Sequence, residues 1–414
     1  MTHEPNNSTQ RALAGRRRRG LLAGTLLVVL LFLSGCLALG LNVSRMLNVR
    51  AQLRATCQAA ALAGAAELLD EGILTGYPDL GDDVLMAREA ARLFGRMNPV
   101  NGTPVTLDPN KANDPTGDVV ACRYDPLGPV NGLRTMPTAA EPMVNSLRVT
   151  SRLERNAYDR LTLWFAGLTG LTTVDVGCAA QATLDRRVAG FRPEPGVRVP
   201  VVPLAAEYTA WMRLATLRAV PGINDQFAVN YQTGSVVAGP DGVPEIVLAC
   251  GPIPSEISAA ATENPAQLLT GRCAAMQLST DGSNPWIWST RCRDGLGRED
   301  LLPWGGELVV RNQVLTVPVF AALPAELPWA LIDQIGKNRA WPLGVPYAVS
   351  NAAPAYDLVG FAAGRIVAVR RATTTSAEAA WEIVVQPSTL VCSQAVAAAT
   401  MSPNPWIGKL ELTE

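Results

Sequence analysis

At 414 residues the chain is long enough for two or three domains of ordinary size. Hydrophobic residues make up 48% and charged residues 17%, which excludes wholesale disorder, and a net charge of −1 leaves no electrostatic footprint for nucleic acid. The single His is His3, so a Ser-His-Asp or Cys-His nucleophile and a His-type zinc site are excluded from everything downstream.

In chain order, residues 1–20 form a basic tail that ends in Arg16, Arg17, Arg18 and Arg19. Residues 21–41 carry no charge. About 20 apolar residues are needed to cross roughly 30 Å of hydrocarbon, so this run is expected to span a membrane. The Arg cluster is expected to stay cytoplasmic, with everything after residue 41 exported. Arg45, Arg50 and Arg54 follow the span and reduce that contrast. Leu33-Ser34-Gly35-Cys36 also fits a lipobox, which would make Cys36 a lipid-bearing N-terminus. Against it, the apolar run continues through residues 37–41.

No Pro interrupts residues 20–70. Val43, Met46, Leu47, Leu53, Cys57, Ala61, Leu62, Leu68 and Leu69 recur at mostly three- and four-residue steps. The spacing predicts that the spanning helix continues as an amphipathic helix with a narrow, small-residue face. A helix of about 50 residues is about 75 Å long, more than a globular core requires. It reads either as a core helix packed on a sheet or as a stalk.

The stretch RRRRGLLAGTLLVVLLFLSGCLALGLNVSRMLNVRAQLRATCQAAALAGAAEL resembles the N-terminal segment of the TadG-like family of Flp/Tad pilus-assembly proteins. That family carries an apolar span followed by a motif close to LQNAADAAALAGA. Leu53, Ala59, Ala60, Ala61, Leu62, Ala63, Gly64 and Ala65 match it here. Gln58 stands where the family usually has Asp, and Thr25 stands where prepilin-type sequences have Glu, which favours a retained anchor over processing. The resemblance implies a single-pass, non-enzymatic pilus-assembly component of the bacterial inner membrane. Its partners would be the membrane and other pilus or envelope proteins, with no cofactor, metal or nucleic acid.

Beyond the helix, residues 72–83 read as a loop and residues 84–97 as a short helix. Strands are expected at 103–107, 118–124, 146–153 and 172–184, with a helix at 158–167. The Asp- and Asn-rich stretch 108–118 has two Pro and the wrong spacing for an EF-hand, so it reads as a turn-rich connection. Residues 42–188 thus read as an α+β unit, a pilin-like helix against an antiparallel sheet.

The Pro-rich segment 189–204 reads as an extended linker. Residues 205–414 read as a second exported domain, α+β or mostly β. Its expected strands are 227–231, 245–250, 274–278, 307–310, 356–362, 365–369 and 382–386, with a turn or bulge at Gly364. Helices are expected at 265–269, 298–302 and 326–335. Its Trp residues read mainly as core.

None of the eight Cys form a C-x-x-C pair. In an exported chain, Cys122 with Cys178 is the expected disulfide, which leaves four Cys in the C-terminal part with three possible connectivities; Cys273 and Cys292 are the best local pair, and buried free thiols are the alternative. Walker-type and G-x-G-x-x-G phosphate loops are not found. A tethered carboxylate-dependent hydrolase or ligand-binding envelope protein is the competing functional reading.

Overall fold

The computed structural model describes residues 7–69, 71–74, 80–124, 134–135, 144–154, 160–165, 167, 170, 172–217, 224–230, 233–250, 269–278, 285–311, 314–347, 354–371 and 381–413. A long N-terminal apolar helix is followed by a mixed α/β region that includes a strand-rich, barrel-like part.

Helix α1 runs Asn7–Ala66, 60 residues without a break. At 1.5 Å per residue it is about 90 Å long. It starts earlier than expected, inside the basic tail. Helix α2, Leu80–Met97, is amphipathic, with Asp82 and Asp83 in its first turn and Arg96 in its last. Both placements favour the helix dipole.

The strands before the Pro-rich segment are β1 (Val119–Arg123), β2 (Arg134–Thr135), β3 (Ser146–Leu153), β4 (Leu161–Thr162), β5 (Thr173–Val174) and β6 (Val176–Asp185). Then come β7 (Val188–Phe191), β8 (Leu204–Glu207), helix α3 (Tyr208–Leu217), β9 (Phe227–Asn230), β10 (Ser235–Ala238), β11 (Ile246–Cys250) and β12 (Thr270–Ala275). Helix α4 (Pro285–Asp294), β13 (Leu308–Val309), β14 (Leu315–Pro318) and helix α5 (Leu327–Ile332) follow. The chain ends with β15 (Asn338–Tyr347), β16 (Ala355–Arg371), β17 (Trp381–Pro387), β18 (Leu390–Val391), β19 (Ala395–Ala397) and β20 (Ile407–Leu412).

One sheet has the order β18-β20-β6-β3-β1-β2. Its centre is antiparallel, with Ser146 opposite Thr183 and Leu153 opposite Val176. The C-terminal β20 lies against β6, with Lys409 opposite Asp185. The end of the chain therefore crosses back over the Pro-rich segment to complete the sheet on which α1 packs. That segment is not a bare tether: Phe191, Val199, Val201 and Val202 are buried in the larger core.

A second sheet has the order β14-β16-β15-β8-β12-β11-β17, and β17 also pairs with β16, so six of its strands close on themselves. Closure removes exposed strand edges. Trp211, Trp288 and Trp341 are fully buried in its core. Trp304 and Trp381 are half-buried, whereas Trp329 is exposed.

Several expectations need correction. Residues 356–369 are not two strands around a turn at Gly364; they lie within the single strand β16. A Cβ on Gly364 would come within 2.7 Å of Val385 Cγ1 and 2.8 Å of Trp211 Cη2, so Gly is there for close approach. Among the described residues of 158–167, Leu161 and Thr162 are strand rather than helix, paired with Val174 and Thr173. Residues 103–107 contribute only an isolated bridge from Thr103 to Val100, although Val105 and Leu107 are buried. The expected helix at 265–269 falls almost wholly outside the described residues.

Candidate functional site: the helix from apolar span to sheet

Two environments share α1. From residue 24 to residue 41 its side chains are exposed, apart from half-buried Gly35 and buried Ala38. Leu26, Leu31, Phe32 and Leu37 are each more than 60% exposed. This part has a mean hydropathy of 2.5 and is long and apolar enough to cross a membrane.

Above it, one stripe is buried: Val49, Leu53, Thr56, Cys57, Ala60, Ala61, Gly64 and Ala65. The steps of three and four residues put all of them on one face. That face packs on β3, β6 and α2. Gly64 marks the closest approach: an added Cβ would clash with Leu147 Cδ2 and lie 2.6 Å from the Ala87 carbonyl oxygen. Of the motif residues read from sequence, Leu53, Ala60, Ala61, Gly64 and Ala65 are buried, and Ala59, Leu62 and Ala63 are half-buried. Arg16, Arg17, Arg18 and Arg19 lie on the backbone of α1, their side chains outside the description.

Polar ties along the stripe escaped the sequence reading. The Thr56 hydroxyl lies 3.0 Å from the Gln52 carbonyl and 2.9 Å from the Asn98 carbonyl. Gln52 Oε1 accepts the Asn101 backbone N–H at 2.8 Å. Together they hold the end of α2 against α1.

The connection 108–118 is built by two Asn residues in the left-handed region, Asn110 (φ 51°) and Asn113 (φ 54°). Asn110 Nδ2 donates to the carbonyls of Asp114 and Val119, and Asn113 Nδ2 donates to that of Ala121. Its amide groups are therefore committed to the turn that feeds β1.

The cysteines pair differently from expectation. Cys273 is bonded to Cys250, not Cys292. Parallel pairing of β11 with β12 sets Cys250 directly opposite Cys273. Cys292 is a buried free thiol on α4, pushed up to about 12 by burial. Cys122 and Cys178 are also free. Cys122 aligns with Ser146 of β3 and Cys178 with Ser151, five positions further along. At about 3.4 Å per residue the register keeps them well beyond disulfide reach. Cys178 instead lies beside α1, its carbonyl 3.6 Å from Cys57 Sγ. Burial pushes the Cys57 thiol up to about 12, which makes it unreactive.

A second region is an open cleft of about 460 Å³ lined by Arg192, Arg298, Glu307, Gln394 and Lys409. Glu307 is paired there with Arg192 at 2.6 Å and with Arg311. Both oxygens of that carboxylate are therefore engaged by guanidiniums. The carboxyl pushed up to about 7 by burial is that of Glu245, outside this lining. It accepts the backbone N–H groups of Gln226 and Phe227, which is a structural role.

Residues 20–67 match the family described as putative Flp pilus-assembly TadE/G-like. The matched span covers both the exposed apolar run and the buried small-residue stripe. Neither the curated proteins nor the solved structures gave a match.

Proposed function

Taking a TadE/G-like pilus-assembly segment at residues 20–67 as the premise, we propose that the protein is a membrane-anchored, non-enzymatic component of a Tad/Flp-type pilus assembly or a related envelope apparatus. Residues 21–41 cross the inner membrane once, with the Arg16–Arg19 cluster on the cytoplasmic side. The exported part presents a pilin-like module, in which α1 lies on an antiparallel sheet, and a barrel-like module beyond it. Other envelope or pilus proteins are its partners.

The observation that carries this reading is the continuity of α1. One unbroken helix has an exposed apolar half and a buried Ala/Gly half, and both lie within the matched residues. A core helix of a soluble protein would not leave its most apolar turns exposed. A cleaved signal would not need its helix to continue into a packed stripe.

Fractionation with N-terminal mapping tests the proposal. A start at Met1 in the membrane fraction, with residues beyond 42 accessible to protease only from the outer face of the inner membrane, is the expected result. A lipid-bearing Cys36, or a soluble chain beginning after residue 20, would overturn the retained anchor.

A further inference from the structure

The covered face of α1 begins inside the apolar run. Ala38 is 3% and Asn42 4% exposed, whereas Leu37 and Leu39 beside them are 66% and 55% exposed. The chain that reaches this level includes the segment just after β4. There the Phe165 backbone N–H donates to Asn42 Oδ1 at 3.3 Å. The Arg45 guanidinium sits 4.6 Å from the centre of the Trp164 ring.

The same segment buries Leu161 and Leu163 and leaves Trp164 64% and Phe165 36% exposed. Trp164 is thus largely exposed beside the helix turn that leaves the apolar run, with the partly exposed Phe165 next to it. Arg160 and Asp175 form an ion pair at 2.8 Å, and β4 pairs with β5, so the segment has its own support.

Twenty-one residues of helix span about 31 Å, the thickness of the hydrocarbon layer. Asn42 to Arg45 is the next turn, at headgroup depth. An indole has an apolar body and one N–H donor, which suits it to that layer. Arg45 beside it meets lipid phosphates with the right sign of charge.

We propose that Trp164 and Phe165 form an interfacial foot that inserts into the outer headgroup layer of the bilayer crossed by α1. The occupant of this exposed aromatic pair is the phospholipid bilayer. The foot gives the exported sheet a second point of attachment, fixing the depth of α1 and the tilt of the module above the membrane. This rests on the membrane-anchor reading given above.

The test uses the full chain reconstituted in phosphatidylcholine–phosphatidylglycerol vesicles whose acyl chains are brominated either near the headgroup or near the methyl end. Bromine quenches nearby Trp fluorescence. The native chain is expected to be quenched more strongly by the headgroup-proximal label, and this component is lost in Trp164→Phe but kept in Trp329→Phe. Alkaline carbonate extraction of the same vesicles reads the anchor separately. A chain that stays in the pellet but is quenched equally with and without Trp164 overturns the foot and leaves the anchor standing. Release into the supernatant overturns both.

Discussion

The upper end of the buried stripe on α1 is made of Ala60, Ala61, Gly64 and Ala65, whereas the larger core buries Trp211, Trp288 and Trp341. Near Gly64 the helix comes so close to its neighbours that only small residues fit, although Val49 and Leu53 lower on the same stripe are buried too. In the larger core the rings pack between elements: Trp211 meets Trp406 edge-on, and Trp288 meets Phe320. The two regions therefore expose different weak points. At Gly64 the helix half has no room for an added atom, and in the barrel-like half the loss of a buried ring leaves a cavity. The barrel-like half also encloses charge: Arg291, 2% exposed, donates from Nε to Asp300 at 2.7 Å, and Asp300 is also paired with Arg198 at 3.1 Å.

The sharpest way to break this contrast is to put a charge into the buried stripe. Ala60 has no exposed surface. Ala60→Glu buries an unpaired carboxylate, and the helix–sheet half is expected to come apart, read as new protease cleavage in residues 67–118. Unchanged thermal unfolding and cleavage would contradict the packing of that face.

Next in size are losses in the other half. Asp300→Ala removes the carboxylate that accepts from buried Arg291 Nε and is expected to cost about 3–5 kcal/mol in denaturant unfolding. Trp341→Ala empties a fully buried site and is expected to cost a similar amount, about 3–5 kcal/mol. A smaller effect is expected from adding one methyl in the helix half: Gly64→Ala must displace Leu147 or the Ala87 carbonyl, at about 1–3 kcal/mol. A neutral Gly64→Ala alongside a neutral Trp341→Ala would erase the distinction between the halves.

A change of pH, with no side chain removed, is also expected to act on the barrel-like half. Burial holds the folded Glu245 carboxyl at about 7, above its ordinary value of 4.5. Between those values the folded state binds more protons than the unfolded state, so stability falls as pH rises from about 4.5 through about 7. Melting temperature measured across this window is expected to decline in the native chain and to be flatter in Glu245→Gln. Equal slopes would contradict the assignment.

The sequence made much of the helix half legible because its signals are local. An uncharged run, the absence of Pro and a three-to-four-residue stripe are enough to draw α1, and alternation alone draws β3. The barrel-like half hides its signals. β15 contains Pro342 and Pro346, which argue against an interior strand. They are accommodated because the pairing on that side uses Leu343 and Gly344, with a separate bridge from Ala340 to Val201, and so falls on neither Pro. The return of β20 to β6 and the pairing of Cys250 with Cys273 depend on register between distant segments, which no local pattern encodes. At the candidate site, the small-residue face was readable as spacing. The polar ties from Thr56 and Gln52 were not, because their partners lie on another element.

Hydrogen–deuterium exchange of the full chain in lipid nanodiscs tests the continuity of α1 most directly. Slow exchange without interruption from residue 24 through residue 66 is the expected result, with residues 24–41 losing protection when lipid is withdrawn and residues 49–65 keeping it. Fast exchange at residues 42–48 in lipid, marking a break where the span meets the sheet, would contradict the account.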